Sequence, residues 1–164
     1  MIKKMRYPLV ASLMVMCIII NSCKRDNTDN ISTLLTTGYW QLGSLTQLDY
    51  IGDTQLGDTT YVCDTVQTFT FNKDGSCNFV NFACATNTAN GTWNLSDTRL
   101  FLNANITEPD STGKPYQPFA NSRIANLGEY SLVLETGDIQ NYYSTTDRRR
   151  IFKWGFVRRR TSTK

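Results

Sequence analysis

In the stretch QTFTFNKDGSCNF, residues 67–79, apolar side chains fall on alternate positions. A period of two sends successive side chains to opposite faces of an extended strand, whereas a helix needs them every three or four residues. Phe69 and Phe71 lead into Asn72-Lys73-Asp74-Gly75, and Cys77 and Phe79 follow. The stretch therefore predicts a β-hairpin with Gly75 at positive φ. YWQLGSLTQL repeats the scheme with Trp40, Leu42 and, after an irregularity at Gly43, Leu45. GTWNLSDTRLFLN places Trp93 and Leu95 before a Ser96-Asp97 turn and Leu100 and Leu102 after it, and EYSLVLE and RRIFKWGFVRR read as later strands. Beyond the first segment, helical spacing is confined to about a turn at ISTLL. Short strands joined by polar turns predict an all-β domain, an antiparallel barrel or sandwich. The length suits one domain with its own core.

The first segment has a different character. Lys3, Lys4 and Arg6 precede an apolar run from Tyr7 to Ile20, the layout of a secretory signal. At about 14 residues the run falls short of the roughly 20 needed to span a bilayer. Ile20-Asn21-Ser22-Cys23 then resembles the bacterial lipobox, which implies cleavage before Cys23 and a diacylglycerol on its thiol, with further acylation of the new N-terminus by a fatty acid such as palmitate. Two or more such chains hold a protein stably at a membrane. The expected organisation is a signal peptide over residues 1–22, a lipidated tether over 23–36, a barrel domain over 37–160 and a tail over 161–164. CKRDNTDN, poor in apolar residues, is expected to bury nothing. Lys24 stands where enteric inner-membrane lipoproteins carry Asp, which points to the outer membrane of a bacterial envelope.

Charge is unevenly distributed. The chain is net +3, and Lys3, Lys4 and Arg6 account for that excess, so the chain from Cys23 onward is formally neutral. Within it, Arg148, Arg149, Arg150, Lys153, Arg158, Arg159, Arg160 and Lys164 gather at the C-terminal end. No nucleic-acid-binding motif surrounds them. Solvated flanks of a wall strand, or contacts to anionic headgroups near the anchor, are the two readings of this cluster.

Gly38-Tyr39-Trp40 resembles the G-x-W of lipocalins. GYWQL, CDTVQTFTFNKDGS, Cys84, GTWNLS and RLFLN, in that order and followed by the aromatic strand near the C-terminus, resemble the lipocalin-like domain of small lipoproteins from Bacteroidota. The resemblance implies an up-and-down β-barrel in which Trp40 plugs the closed end beneath an arginine of the last strand. Phe152, Trp154, Phe156 and Arg158 share one face of that strand, so Arg158 is the arginine expected over Trp40; a ligand contact is the other reading of Trp40. Phe71, Phe79, Trp93 and Trp154 are candidate cavity-lining residues, although aromatics at strand spacing more often fill a core. The stretch from Glu108 to Gln117, with Pro109, Pro115 and Pro118 around it, departs from the pattern.

Three cysteines remain beyond the anchor and the signal, and an envelope permits oxidation. Cys77 and Cys84 in one extended strand would lie roughly 23 Å apart, against a limit of about 7 Å. Cys63 and Cys84 flank the hairpin, and the related lipoproteins often carry cysteines at these two places. A Cys63–Cys84 disulfide is therefore expected, with Cys77 a buried free thiol.

Catalytic readings find little support. The chain has no His, which removes the usual general base and imidazole metal ligands. Most Asp residues fall in apparent turns such as IGDTQLGDTT, Glu129 and Glu135 flank a strand and read as solvated, and no calcium-loop or phosphate-loop spacing is present. The expectation is a non-enzymatic protein without cofactor or metal that binds a small apolar or amphipathic molecule. The alternative is a filled barrel acting as an interaction module for a partner protein, glycan or envelope surface.

Overall fold

The structure, a computed structural model, describes residues 28–109 and 112–160. The signal, Cys23 and the 161–164 tail lie outside the described residues. A helix α1 (Thr28–Thr36) precedes strands β1 (Tyr39–Ile51), β2 (Thr54–Tyr61), β3 (Thr68–Phe71), β4 (Ser76–Val80), β5 (Thr88–Leu95) and β6 (Phe101–Ala104). The short strands β7 (Glu108–Pro109) and β8 (Pro115–Tyr116) come next, followed by β9 (Ser122–Leu127), β10 (Ser131–Gly137) and β11 (Arg148–Arg159). Strands β1, β3, β4, β5, β6, β9, β10 and β11 pair in that order, and β11 returns to β1 to close an antiparallel up-and-down barrel. With about eight strands, the interior is narrow enough for side chains to fill or to leave room for one small ligand.

The β3–β4 hairpin follows its sequence pattern. Phe69 lies opposite Phe79 and Phe71 opposite Cys77, and Gly75 takes φ 83°. The Asp74 carboxylate accepts from the Ser76 amide at 2.9 Å and from its hydroxyl at 2.7 Å. In β1 the ladder to β11 shifts register between Leu42 and Ser44, placing a bulge at Gly43. The extra residue restores Leu45 to the inward face, where it packs with Leu42 against the core.

Beyond the bulge β1 changes partners. Trp40 and Gln41 pair with β3, whereas Leu45 to Ile51 pair with β2 across a Gly52-Asp53 turn. This corrects the reading of IGDTQLGDTT as turns: only Asp53 lies in the turn, and Asp58 lies in a strand. All eight residues of β2 are exposed, so no apolar alternation marked it; the ladder with β1 holds it extended.

Leu35, Trp40, Phe69, Phe79, Leu102, Ile106, Phe119, Leu132, Leu134 and Phe156 form the fully buried interior. Leu35 and Ile31 belong to α1 and pack with the barrel core, just after the apolar-poor CKRDNTDN. ISTLL is helical, and its apolar side chains join the barrel core. Leu100, expected to point inward, is 59% exposed because it precedes β6 in a turn.

Candidate functional site

The two ends of the barrel differ. At one end α1 abuts the start of β1 and the end of β11. The last carbonyls of a helix lack intrahelical partners, and here the barrel supplies donors: the Trp40 indole N–H donates to the Leu35 carbonyl at 2.9 Å, and an Arg158 N–H donates to the Leu34 carbonyl. The Arg158 guanidinium lies 4.6 Å from the centre of the Trp40 ring. Burial draws its pKa down, while the negative end of the helix favours its charge. A side chain at Gly38, which has φ 76°, would overlap the Arg159 carbonyl. Gly38, Trp40 and Arg158 thus form one closed end, and neither Trp40 nor Arg158 lines the cavity at the opposite end.

The opposite end is open. A cavity of about 620 Å³ lies where the β1–β2 ribbon parts from β3. Leu42, Leu45, Val62, Phe82, Phe152 and Trp154 give it apolar walls, with Tyr116 and Pro118 from the β7–β8 insertion and Thr136 from β10. Phe82 enters because the backbone reverses through positive φ at Asn81, Ala83 and Cys84. Its ring stacks on Trp154 at 5.9 Å and meets Phe79 edge-on at 5.3 Å. The Trp154 indole N–H donates to Thr136 Oγ1 at 3.0 Å, fixing the ring.

The segment returning from β2 to β3 crosses this mouth, and the Cys63–Cys84 disulfide pins it to the Phe82 turn, with Cα atoms 5.6 Å apart. Both cysteines face the cavity. Cys77 is free and buried, and its desolvation pushes the thiol up to about 11.

Of the four candidate lining aromatics, only Trp154 lies on the cavity wall. Phe71 sits next to the β3–β4 turn, away from the mouth, and meets Trp93 edge-on at 5.5 Å. The Trp93 indole N–H is spent on the Asn72 carbonyl at 2.9 Å. Phe79 is enclosed by Phe69, Phe82 and Phe119. These three take the other reading given to strand-spaced aromatics, that of core side chains. Sequence reasoning missed Phe82, Gln67, Tyr116 and Pro118 as wall residues. Phe82 follows a strand in an irregular turn where alternation no longer applies, and Tyr116 and Pro118 belong to the proline-rich insertion. Phe152 was visible as the same-face neighbour of Trp154.

The charged side chains are also more engaged than expected. Glu135 is not solvated: it lies 2.6 Å from Arg123 and 3.9 Å from Lys153. Arg150 holds Asp49 at 2.9 Å, which keeps that carboxyl below its ordinary range.

The chain matches no protein-family model, and no curated protein matches it.

Proposed function

We propose that this protein is a lipid-anchored envelope protein, attached through Cys23 at the outer membrane, whose lipocalin-like barrel takes a small apolar or amphipathic molecule into its open mouth. The observation that carries the ligand half is the cavity of about 620 Å³ with aromatic and aliphatic walls. Its size falls within the range of small-molecule sites. The lipobox-like Ile20-Asn21-Ser22-Cys23 carries the anchor half. The absence of His supports a binding role over a catalytic one.

Mass spectrometry of protein purified gently from the membrane fraction of the source cell tests both halves. The expected N-terminal peptide begins at an acylated Cys23, and an organic extract is expected to contain a molecule depleted from a Trp154→Ala preparation. An unmodified Cys23 removes the anchor, and an extract identical to that of the variant removes the ligand. One feature favours the interaction-module alternative. The exposed strand β2 pairs along one edge with β1 and along the other with no described strand, leaving backbone groups open to an added strand.

A further inference from the structure

The cavity wall contains one buried polar group without a partner. Gln67, directly before β3, is 5% exposed. Its main chain is engaged, with the carbonyl accepting from the Leu42 amide at 2.9 Å, but its side-chain oxygen meets no donor. Of the buried side-chain atoms left unpaired among the described residues, it alone belongs to the cavity wall. Two of the other polar groups there are already engaged: the Trp154 indole bonds to Thr136 at 3.0 Å, and the Tyr61 hydroxyl donates to Gln47 at 2.7 Å. Native proteins seldom leave a buried amide oxygen unpaired, and such a group calls for a partner that the bare chain does not supply.

We propose that the Gln67 amide is the recognition group of this cavity, and that its ligand is an uncharged amphiphile with a hydroxyl or amide head. The inference rests on the cavity being the ligand site. The second observation behind it is that, among the described residues, none lining the cavity is Asp, Glu, Lys or Arg. A carboxylate or ammonium head would lose its water there and find no opposite charge, a heavy penalty. A neutral head avoids that penalty. A glutamine amide both donates and accepts, and a half-turn about its last side-chain bond exchanges its two ends. A hydroxyl or primary amide matches both capacities. An ether offers an acceptor alone and leaves the Gln67 oxygen unsatisfied. The apolar body of the ligand then lies against Phe82, Phe152 and Trp154.

Matched probes with one alkyl chain and different heads separate this inference from the cavity reading beneath it. Decanol, decanamide, decyl methyl ether and decanoate are titrated at neutral pH, with Trp154 fluorescence and calorimetry as readouts. Decanol and decanamide are expected to bind about tenfold more tightly than the ether, and decanoate more weakly than decanol by at least as much. Gln67→Met should bring decanol and ether to similar affinities while ether binding persists, which also reports that the variant is folded. Equal binding of ether and decanol by the wild-type protein overturns the Gln67 assignment while leaving the cavity as a ligand site. Decanoate binding as tightly as decanol overturns the neutral-head requirement. Binding of none of the probes removes the cavity reading itself, and the recognition proposal with it. The wild-type series decides these points even if the variant fails to fold.

Discussion

Arg158 joins three elements through one side chain. It covers the Trp40 ring, donates to the Leu34 carbonyl at the end of α1, and lies in β11 at the register position opposite Trp40. A charged hydrogen bond contributes about 1.5–3 kcal/mol, and a largely desolvated cation–π contact adds roughly 1–2 kcal/mol. Its neighbour Arg159 bonds to Gln41 at 2.9 Å on the exposed outer face. Arg158→Ala should therefore lower unfolding stability by about 2–4 kcal/mol in urea titrations, whereas Arg159→Ala should stay within about 0.5 kcal/mol. Equal losses would show that the closed end is held by area burial alone. At this scale the sequence was readable where alternation and identity coincide, as with Trp40 and Arg158. It was unreadable for Gln67, a buried polar residue directly before β3 whose side-chain type gives no sign of an inward face.

Among the elements, the hairpins declared themselves because one face of each strand meets the core. β2 did not, because neither of its faces is covered. The helical turn at Ile31 to Leu35 was legible from its spacing, but a helix this short shows too little periodicity to reveal that its apolar face joins the barrel core. The segment between β2 and β3 has no ladder of its own, and its attachment to the cavity mouth runs through Cys63 and Cys84, separated by 21 residues. Closing a loop of that length contributes about 3 kcal/mol through the unfolded chain. The double substitution Cys63→Ser and Cys84→Ser should lose about that much stability, and it should also weaken decanol binding because one cavity wall is released. The stability loss is read from the urea midpoint, with an unchanged slope showing that the barrel still unfolds as one unit. Unaltered decanol affinity would mean that the segment keeps its place without the covalent link.

For the molecule as a whole, the C-terminal arginines looked in sequence like a single basic patch, and the strand that carries them divides it. Arg148 to Arg150 start β11 near the mouth, while Arg158 to Arg160 end it beside α1. Eight residue steps of strand from Arg150 to Arg158 separate the two groups by roughly 27 Å, so a flat anionic surface meeting one end leaves the other outside the Debye length of about 8 Å. Most of these charges also have partners. Arg149 lies 3.4 Å above the Tyr143 ring, Arg150 pairs with Asp49 at 2.9 Å, and Arg160 with Glu129 at 3.4 Å. Adhesion to headgroups at about 1 kcal/mol per close charge would have to draw on Arg148 at one end or Arg159 at the other, and on whatever pairs could be broken. A soluble form lacking the signal and Cys23 should consequently sediment with phosphatidylglycerol vesicles no more than with neutral phosphatidylcholine vesicles, even at low ionic strength. Vesicle binding that is strong at low salt and abolished at physiological salt would show that the pairs at one end open to a membrane, and would assign part of the attachment to the barrel in addition to the lipid proposed on Cys23.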